Sequence, residues 1–247
     1  MSVEIGAYRL GLVPTLITMP LVLLCLGLGV WQIQRLHWKE GLIAERAATL
    51  KAPPAAPPAT RADAQRLQLR RTIDRGVFLN DREILVHAIA PDGAAGFDVL
   101  TPLRELDGRI VFVNRGFVPA ALKNRGARAA GDPAGPTAVS GRIVLPTASG
   151  MFVPDNQPAG GDWYRIDLAA MARADGLSDV APFYIDADGT PNPGGWPQGG
   201  TALPELPNHH LQYVITWFSL AAIGLYIYFK SQRKPEADQH DARIRHP

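Results

Sequence analysis

Few side chains in this sequence have the type and spacing needed for catalysis or metal binding. It has six histidines, and its single cysteine, Cys25, cannot form an internal disulfide or the paired thiols of a redox centre. His209 and His210 are adjacent, but neighbouring residues on a helix point about 100° apart and do not readily chelate one ion. No serine-hydrolase, zinc-protease or phosphate-loop signature is present. We therefore predict no catalytic residues and no enzyme.

A membrane-anchored enzyme would instead need converging carboxylates in the central part of the chain. Asp155, Asp162, Asp167, Asp186 and Asp188 are available there, but no spacing singles out a pair. The formal net charge of +2, without a basic stripe, also gives no reason to predict a nucleic-acid partner.

One candidate site combines indoles with a guanidinium. Trp31, Arg35 and Trp38 follow each other at i, i+4 and i+7, so they share one helical face and permit cation–π contacts. One interpretation is anchoring at the lipid headgroups, where Trp and Arg are common. The other is a docking face for a partner protein or for an acidic group of a ligand.

A second candidate site begins at the segment Asn208–Tyr213. On a helix, one face carries in turn a polar residue, two aromatic residues and two small ones: His210, Tyr213, Trp217, Ala221 and Gly224. A flat apolar ligand could lie along this face, with a histidine nitrogen binding its metal. The alternative is plain helix packing, in which the small residues let another helix approach.

Both candidate sites lie at the ends of uncharged apolar runs. The run from Leu12 to Trp31 has twenty residues, and at about 1.5 Å per residue it spans roughly 30 Å, the thickness of a bilayer core. No small-residue cleavage site follows it, so we predict a retained helix rather than a signal peptide. The run Leu211–Phe229 has nineteen residues and aromatic residues near both ends. We predict transmembrane helices at 12–31 and 210–229, and hence a lipid bilayer as a partner.

Basic residues predict the orientation of these helices. Lys230, Arg233 and Lys234 directly follow the second run, and short basic tails stay in the cytoplasm. Two spans then place both termini, 1–11 and 230–247, in the cytoplasm and the central segment outside. The basic residues Arg35, Lys39 and Arg46 after the first run oppose this assignment.

The central segment divides by composition. We predict a helical extension at 32–50, a proline-rich spacer at 51–66, a β-rich domain at 67–188 and a tether at 189–209. Ten of the nineteen residues from Gly189 to Pro207 are Gly or Pro, which favours a flexible link. The β-rich domain contains short strand-like runs separated by turn residues, with one short helix at 167–174. The predicted strands are Gln68–Ile73, Gly76–Phe78, Ile84–Ile89, Phe97–Pro102, Ile110–Val113, Val139–Leu145 and Phe183–Ile185.

The predicted fold class is therefore a membrane protein with two transmembrane helices flanking a mainly β (α+β) extracytoplasmic domain. Turn residues between the strands favour an antiparallel small sandwich or an open barrel.

Three stretches are similar to one known family. They are GVWQIQRLHWKEGLIA (29–44), GRIVFVNRGFVP (108–119) and HLQYVITWFSLAA (210–222). In these stretches, which bracket the central domain, the chain resembles the Surfeit locus protein 1 family over roughly residues 11–230.

The resemblance implies an assembly factor for an a-type haem–copper cytochrome c oxidase. Members are expected to bind haem a and assist its delivery to the catalytic subunit or an assembly intermediate. His210 takes the family's axial-ligand position, so it is the predicted ligand of the haem iron, with Tyr213 and Trp217 beside the ring. Arg35 is the expected partner of a haem propionate.

The predicted partner-binding residues are Trp31, Trp38 and Arg115. Asn114-Arg115-Gly116 is expected to form a turn after a strand, with Gly116 at positive φ. The alternative function is a scaffold that stabilises an oxidase intermediate without binding haem. The short segment before the first helix leaves no room for a mitochondrial leader, which favours a bacterial inner membrane with the central domain in the periplasm.

Overall fold

The chain folds into two compact units. The computed structural model describes residues 2–5, 8–147, 153–200 and 202–233. One unit comprises Met1–Glu45 with Glu205–Pro247, and the other comprises Arg46–Pro204. Most of the predicted tail, from residue 234 onward, lies outside the described residues.

The described part of the chain contains four α-helices and eight strands, besides short 3-10 helices. The helices are α1 Leu12–Lys51, α2 Arg61–Arg66, α3 Leu168–Ala174 and α4 His210–Ser231. The strands are β1 Ser2–Ile5, β2 Tyr8–Gly11, β3 Arg71–Phe78, β4 Ile84–Ile89, β5 Ala95–Glu105, β6 Ile110–Pro119, β7 Pro136–Val144 and β8 Val180–Ala187.

The first unit is built on the two apolar helices, α1 and α4. Each contains an 18-residue stretch that is apolar enough to cross a membrane, with mean hydropathies of 2.2 and 1.4, as the sequence predicts. The predicted span 12–31 and extension 32–50 form one continuous helix. Before it, β1 and β2 form an antiparallel hairpin that the sequence did not predict.

Small residues let α1 and α4 approach closely. A Cβ atom on Gly29 would lie 2.9 Å from the ring of Phe218, and Gly224 faces Val22. Ala221 and Val22 are both buried. Toward the other end of the pair, the Thr15 and Tyr228 hydroxyls lie 2.7 Å apart in a hydrogen bond. The helix-packing role predicted for Gly224 is thus observed, because without a side chain it allows the van der Waals contact that holds membrane helices together.

The second unit is a five-stranded β-barrel with one added strand. Strands pair in the order β3-β7-β8-β6-β5, and β3 also pairs with β5 over three residue pairs, which closes the ring. β4 pairs with the outer side of β5. The mainly β domain between two apolar helices is confirmed, and of the two predicted alternatives the structure has the barrel.

One strand pair corrects the expectation of a purely antiparallel domain. β6 and β8 are parallel, and all other pairs are antiparallel. The connection between these two strands contains β7 and α3, which makes it long enough to cross the barrel and return in the same direction.

Two packed layers of apolar side chains hold the barrel together. Strand β3 alternates exposed and buried residues along its length, as expected for a strand with one face on a core. Strand β6 is buried on both faces because α3 and Trp163 cover its outer side, where Phe112 packs against Leu168 and Met171. On the inner side, Val111 and Val113 pack against Phe183 and Ile185.

Two predicted strands, Gln68–Ile73 and Gly76–Phe78, belong to the one longer strand β3. The run predicted at Gly76–Phe78 continues the strand before it, and a Cβ atom at Gly76 would lie 2.2 Å from the carbonyl oxygen of Arg104. Glycine at this position therefore permits the β3–β5 crossing that closes the barrel, and it does not end a strand.

The predicted Asn114-Arg115-Gly116 turn is wrong. These residues lie within β6, and Arg115 and Gly116 together stand opposite Val99, which makes a β-bulge. Gly116 has φ +113°, so the predicted positive φ is confirmed. At the bulge, a Cβ atom on Gly116 would lie 2.0 Å from the carbonyl oxygen of Gln198, so there is no room for a side chain at this position.

The two low-complexity segments lie against the barrel. In the proline-rich spacer, Ala55 pairs with Thr72, and Arg109 Nη1 donates to the Pro58 carbonyl at 2.7 Å. In the predicted tether, Gln198 pairs with Phe117 through two backbone hydrogen bonds. Backbone pairing thus places Gln198 against β6, while the flexibility expected of the 189–209 tether stays a prediction.

Candidate functional site

The candidate site is built around His210, the first residue of α4. Its Nδ1 atom lies 2.7 Å from Oε1 of Gln32, a side chain of α1 that is 8% exposed. His210 itself is half-buried, whereas its neighbour His209 is exposed. In the part of the chain that the structure describes, no hydrogen bond involves Nε2 of His210. One imidazole nitrogen is thus held by a buried amide and the other remains available to a ligand.

Gln32 was not predicted as a site residue. It lies within the first family-like stretch and three residues before Arg35, so the two share a helical face. The three-residue spacing from Arg35 was the one sequence feature that could have pointed to Gln32 as a site residue. The contact with His210 joins residues 178 positions apart, and no local pattern reports it.

Arg35 lies between two indoles, as the i, i+4, i+7 spacing predicts. Its guanidinium carbon is 4.4 Å from the centroid of the Trp38 ring and 5.9 Å from that of Trp31. The two indoles are 51% and 49% exposed. Among the residues that the structure describes, Arg35 forms no ion pair. The cation is held by aromatic faces and remains able to pair with an anionic group.

Tyr213 and Trp217 continue from His210 along α4. Tyr213 is about half exposed and Trp217 is half-buried, while Ala221, one turn further, is buried against α1. The face predicted for a flat ligand therefore runs from an accessible aromatic end into the helix contact. The spacing i, i+3 and i+7 places His210, Tyr213 and Trp217 on one side of the helix.

Arg115 lies in the barrel interior. It is 3% exposed, its Nη1 donates to Asp132 at 3.1 Å, and its Nη2 donates to the Gly131 carbonyl. The guanidinium also stands over the Phe78 ring at 5.0 Å. Burial and internal pairing give no support to its predicted partner-binding role, since a partner could not reach the charge.

The barrel contains further buried charges that the sequence did not single out. Arg128 forms two hydrogen bonds with Glu83, and Arg142 pairs with Asp186. Burial raises the pKa of Asp98 to about 6, with nearby Asp186 adding to the rise. Asp98, Arg142 and Asp186 lie on strands, where inward-facing positions cannot be recognised before the strand register is known. Arg128 and Glu83 lie outside the strands, and only the fold brings them together.

A second acidic group lies near the barrel closure. Burial raises the pKa of Asp74 to about 7, and the nearby carboxylate of Glu105 contributes to this rise. Glu105 is held by two hydrogen bonds from Arg109. Among the described residues, no group of three or more His, Cys, Asp or Glu side chains could hold a metal ion. Arg115 and Arg128 of the barrel are thus paired with carboxylates, whereas Arg35 of the two-helix unit forms no ion pair among the described residues.

Comparisons with known proteins agree with the resemblance seen in the three sequence stretches. The sequence pattern of the SURF1 family matches residues 19–222. A SURF1-like protein from Monosiga brevicollis is 39% identical over 237 residues, covering 91% of this chain and 88% of its own length. Surfeit locus protein 1 from Homo sapiens is 34% identical over 220 residues, covering 83% of this chain and 72% of its own. The corresponding protein from Rattus norvegicus is 36% identical over 219 residues, covering 83% and 71%. On a match over most of its length, with relatives at this level of identity, this chain belongs to the SURF1 family.

Proposed function

We propose that this protein is an assembly factor for an a-type haem–copper cytochrome c oxidase, and that it binds haem a and aids its insertion into the catalytic subunit. The observation that supports this most directly is the head of α4. There, His210 has Nδ1 held by Gln32 and Nε2 without a hydrogen bond among the described residues.

The side chains of this unit fit the chemistry of a haem. A haem needs a neutral imidazole nitrogen for its iron, apolar or aromatic surface for its ring and cations for its propionates. His210 supplies the nitrogen and Tyr213 and Trp217 supply aromatic surface on the same helix. Arg35 supplies a cation that is not neutralised by a carboxylate in the described part of the protein. A protein that carries haem needs no turnover, which agrees with the predicted lack of catalytic residues.

The orientation in the membrane follows from charge. Lys230 lies in the last turn of α4 and Arg233 just beyond the helix, and the positive-inside rule assigns this end of α4 to the cytoplasm. The barrel between the two helices then lies on the extracytoplasmic side, which is the periplasm if the membrane is a bacterial inner membrane. Haem binding at His210 would take place near that same outer surface, where the catalytic subunit or an assembly intermediate could receive it.

The deciding measurement is the optical spectrum of the detergent-purified protein co-expressed with haem a synthesis. We expect a Soret band and an a-type red absorption in the wild type, and their loss in His210→Ala. His209→Ala is the matched control, because His209 is the exposed neighbour and should leave the spectrum unchanged. Equal absorbance in the His210→Ala and wild-type proteins would rule out His210 as the ligand.

Arg35 is tested in the same way. Loss of its cation should lower haem a affinity about 10–150-fold, since a charge-assisted hydrogen bond to a carboxylate is worth about 1.5–3 kcal/mol. Lys39→Ala provides the control for loss of a nearby positive charge. If haem occupancy of Arg35→Ala equals that of the wild type at limiting haem, the propionate role is dropped.

The second candidate function is a scaffold for an oxidase intermediate that binds no haem. The exposed indoles of Trp31 and Trp38 favour it, because aromatic and arginine side chains are enriched where proteins bind each other. A colourless wild-type protein that still rescues oxidase assembly in a deletion strain would favour the scaffold. In that case Trp31→Ala and Trp38→Ala should impair assembly while His210→Ala is tolerated.

A further inference from the structure

We propose that Gln32 is a positioning residue that keeps the proton of His210 on Nδ1, so that Nε2 presents its lone pair to a metal. The proposed role of that lone pair rests on the haem-binding function above, but the protonation state itself is a property of the protein alone.

The first observation is the direction of the contact. Oε1 of Gln32 can only accept a hydrogen bond, and it lies 2.7 Å from Nδ1 of His210. In a neutral imidazole one nitrogen carries the proton and the other carries the lone pair. A hydrogen bond to Oε1 therefore requires the proton on Nδ1, and Nε2 is left as the acceptor.

The second observation is burial. Gln32 is one of three buried residues of α1, together with Val22 and Gly29, and it is the only polar one among them. A buried polar group without a hydrogen bond costs about 1–3 kcal/mol, so the Gln32 amide gains stability by bonding to His210. Its position is fixed as well, because Gly29, three residues earlier, brings this part of α1 against Phe218 of α4.

The third observation is the lack of any other group that would fix the ring. The imidazole of His210 has no carboxylate partner among the described residues, and the hydrogen bond at 3.4 Å from its backbone N–H to Asn208 does not involve the ring. Gln32 is thus the one described side chain that distinguishes the two ring nitrogens. A free neutral imidazole favours the proton on the ε nitrogen, which would block metal binding there.

This arrangement follows the general design of metal-binding histidines. Such residues commonly donate the second ring N–H to a carboxylate, carbonyl or water, and removal of that partner costs about 10–100-fold in metal affinity. A neutral amide serves the same purpose without placing a negative charge beside the membrane core. Gln32 acts through His210 and does not itself touch the bound group.

The test uses the full chain without haem, labelled with ¹⁵N-histidine in detergent micelles at a pH where imidazole is neutral. His210 is assigned by the signal that disappears in His210→Ala. We expect ¹⁵N chemical shifts that show a protonated Nδ1 and an unprotonated Nε2 in the wild type. In Gln32→Leu the form protonated at Nε2 should become the major one.

Two further variants keep the test independent of misfolding. Gln34→Leu makes the same change at an exposed position of α1 and should leave the tautomer of His210 as in the wild type. Gln32→Glu retains an acceptor oxygen and should keep the proton on Nδ1. A wild-type His210 protonated at Nε2, or a Gln32→Leu variant with the wild-type tautomer, would overturn the proposal.

Haem dissociation supplies the second readout. The rate of haem a transfer from the protein to excess apomyoglobin should rise about 10–100-fold in Gln32→Leu and stay unchanged in Gln34→Leu. The two proposals fail separately. A fixed Nδ1 proton in a protein that binds no haem supports the positioning role and overturns the haem function. Haem binding that depends on His210 but not on Gln32, with an unchanged tautomer, does the reverse.

Discussion

Arg115 and Arg128 of the barrel and Arg35 of the two-helix unit lie in opposite surroundings. In the barrel, Arg115 is paired with Asp132 and Arg128 with Glu83, and both guanidinium groups are almost fully enclosed. In the two-helix unit, Arg35 lies between two half-exposed indoles and has no ion pair among the described residues. The same side chain is a closed structural element in one region and an accessible cation in the other.

The physical reason for the difference is desolvation. A buried charge must be paired, and removal of one partner leaves the other uncompensated in a medium of low dielectric constant. Arg115 and Arg128 must therefore stay paired with Asp132 and Glu83 in the folded barrel. An arginine on an aromatic face keeps both its hydration and its ability to bind an anion, so it can exchange water for a ligand. The candidate site therefore differs from the barrel in how accessible its arginine is, and not in whether it has one.

The largest expected effect comes from breaking a barrel pair. Arg128→Ala leaves the buried carboxylate of Glu83 without its two hydrogen bonds, and it should lower the free energy of unfolding of the barrel by about 3–5 kcal/mol. Hydrogen–deuterium exchange of peptides from β3 to β8 measures this change directly.

Arg35→Ala is the matched substitution in the other unit. It should change exchange in the barrel by less than about 0.5 kcal/mol, because exposed positions contribute little to stability. If both variants destabilised the barrel to the same extent, the proposed contrast between the two units would be wrong.

A smaller effect is expected from the buried acid Asp74. Its pKa of about 7 in the folded barrel lies above the value of 3.8 expected for the unfolded chain. The unfolded chain therefore binds fewer protons between these values, and the stability of the barrel should fall as pH rises from about 4 to about 7. Asp74→Asn should remove most of this dependence and raise stability above pH 7 by about 4 kcal/mol at most.

Urea unfolding of the full chain at pH 5 and pH 8 tests this prediction. Asp81→Asn is the control, since Asp81 is exposed, and it should keep the pH dependence of the wild type. A pH dependence that persists in Asp74→Asn would assign it to another group, of which Asp98 is the first to examine.

The smallest effect concerns the helix contact. Gly29→Val would place a methyl group into the Phe218 ring and should destabilise the α1–α4 contact by about 1–3 kcal/mol. Haem a occupancy should fall with it, because the contact positions Gln32 and His210. Gly27→Val is the matched control, because a Cβ atom at Gly27 meets nothing within 4 Å.

The comparison is made by thermal unfolding in detergent and by haem absorbance for both variants. A Gly29→Val protein with wild-type haem occupancy would show that the candidate site does not depend on close helix contact.

Local sequence determined the features that depend on chain length and periodicity. Twenty uncharged residues can only satisfy their backbone groups in a bilayer as a helix, so the two apolar helices could be predicted directly. Strand β4 was predicted at its observed bounds, and α3 begins one residue after its predicted start, because alternation and turn residues report local backbone preference. The contact of Arg35 with two indoles also followed from spacing alone.

Tertiary structure decided the features that join distant parts of the chain. The closure of the barrel through β3 and β5, the burial of Arg115 and the pairing of Gln198 with Phe117 all depend on which strands become neighbours. The contact between Gln32 and His210 is of the same kind, since the two residues are 178 positions apart. A local pattern records how a segment prefers to fold, but it does not record which distant side chain will contact it, and only that contact shows which nitrogen of His210 is held by the protein.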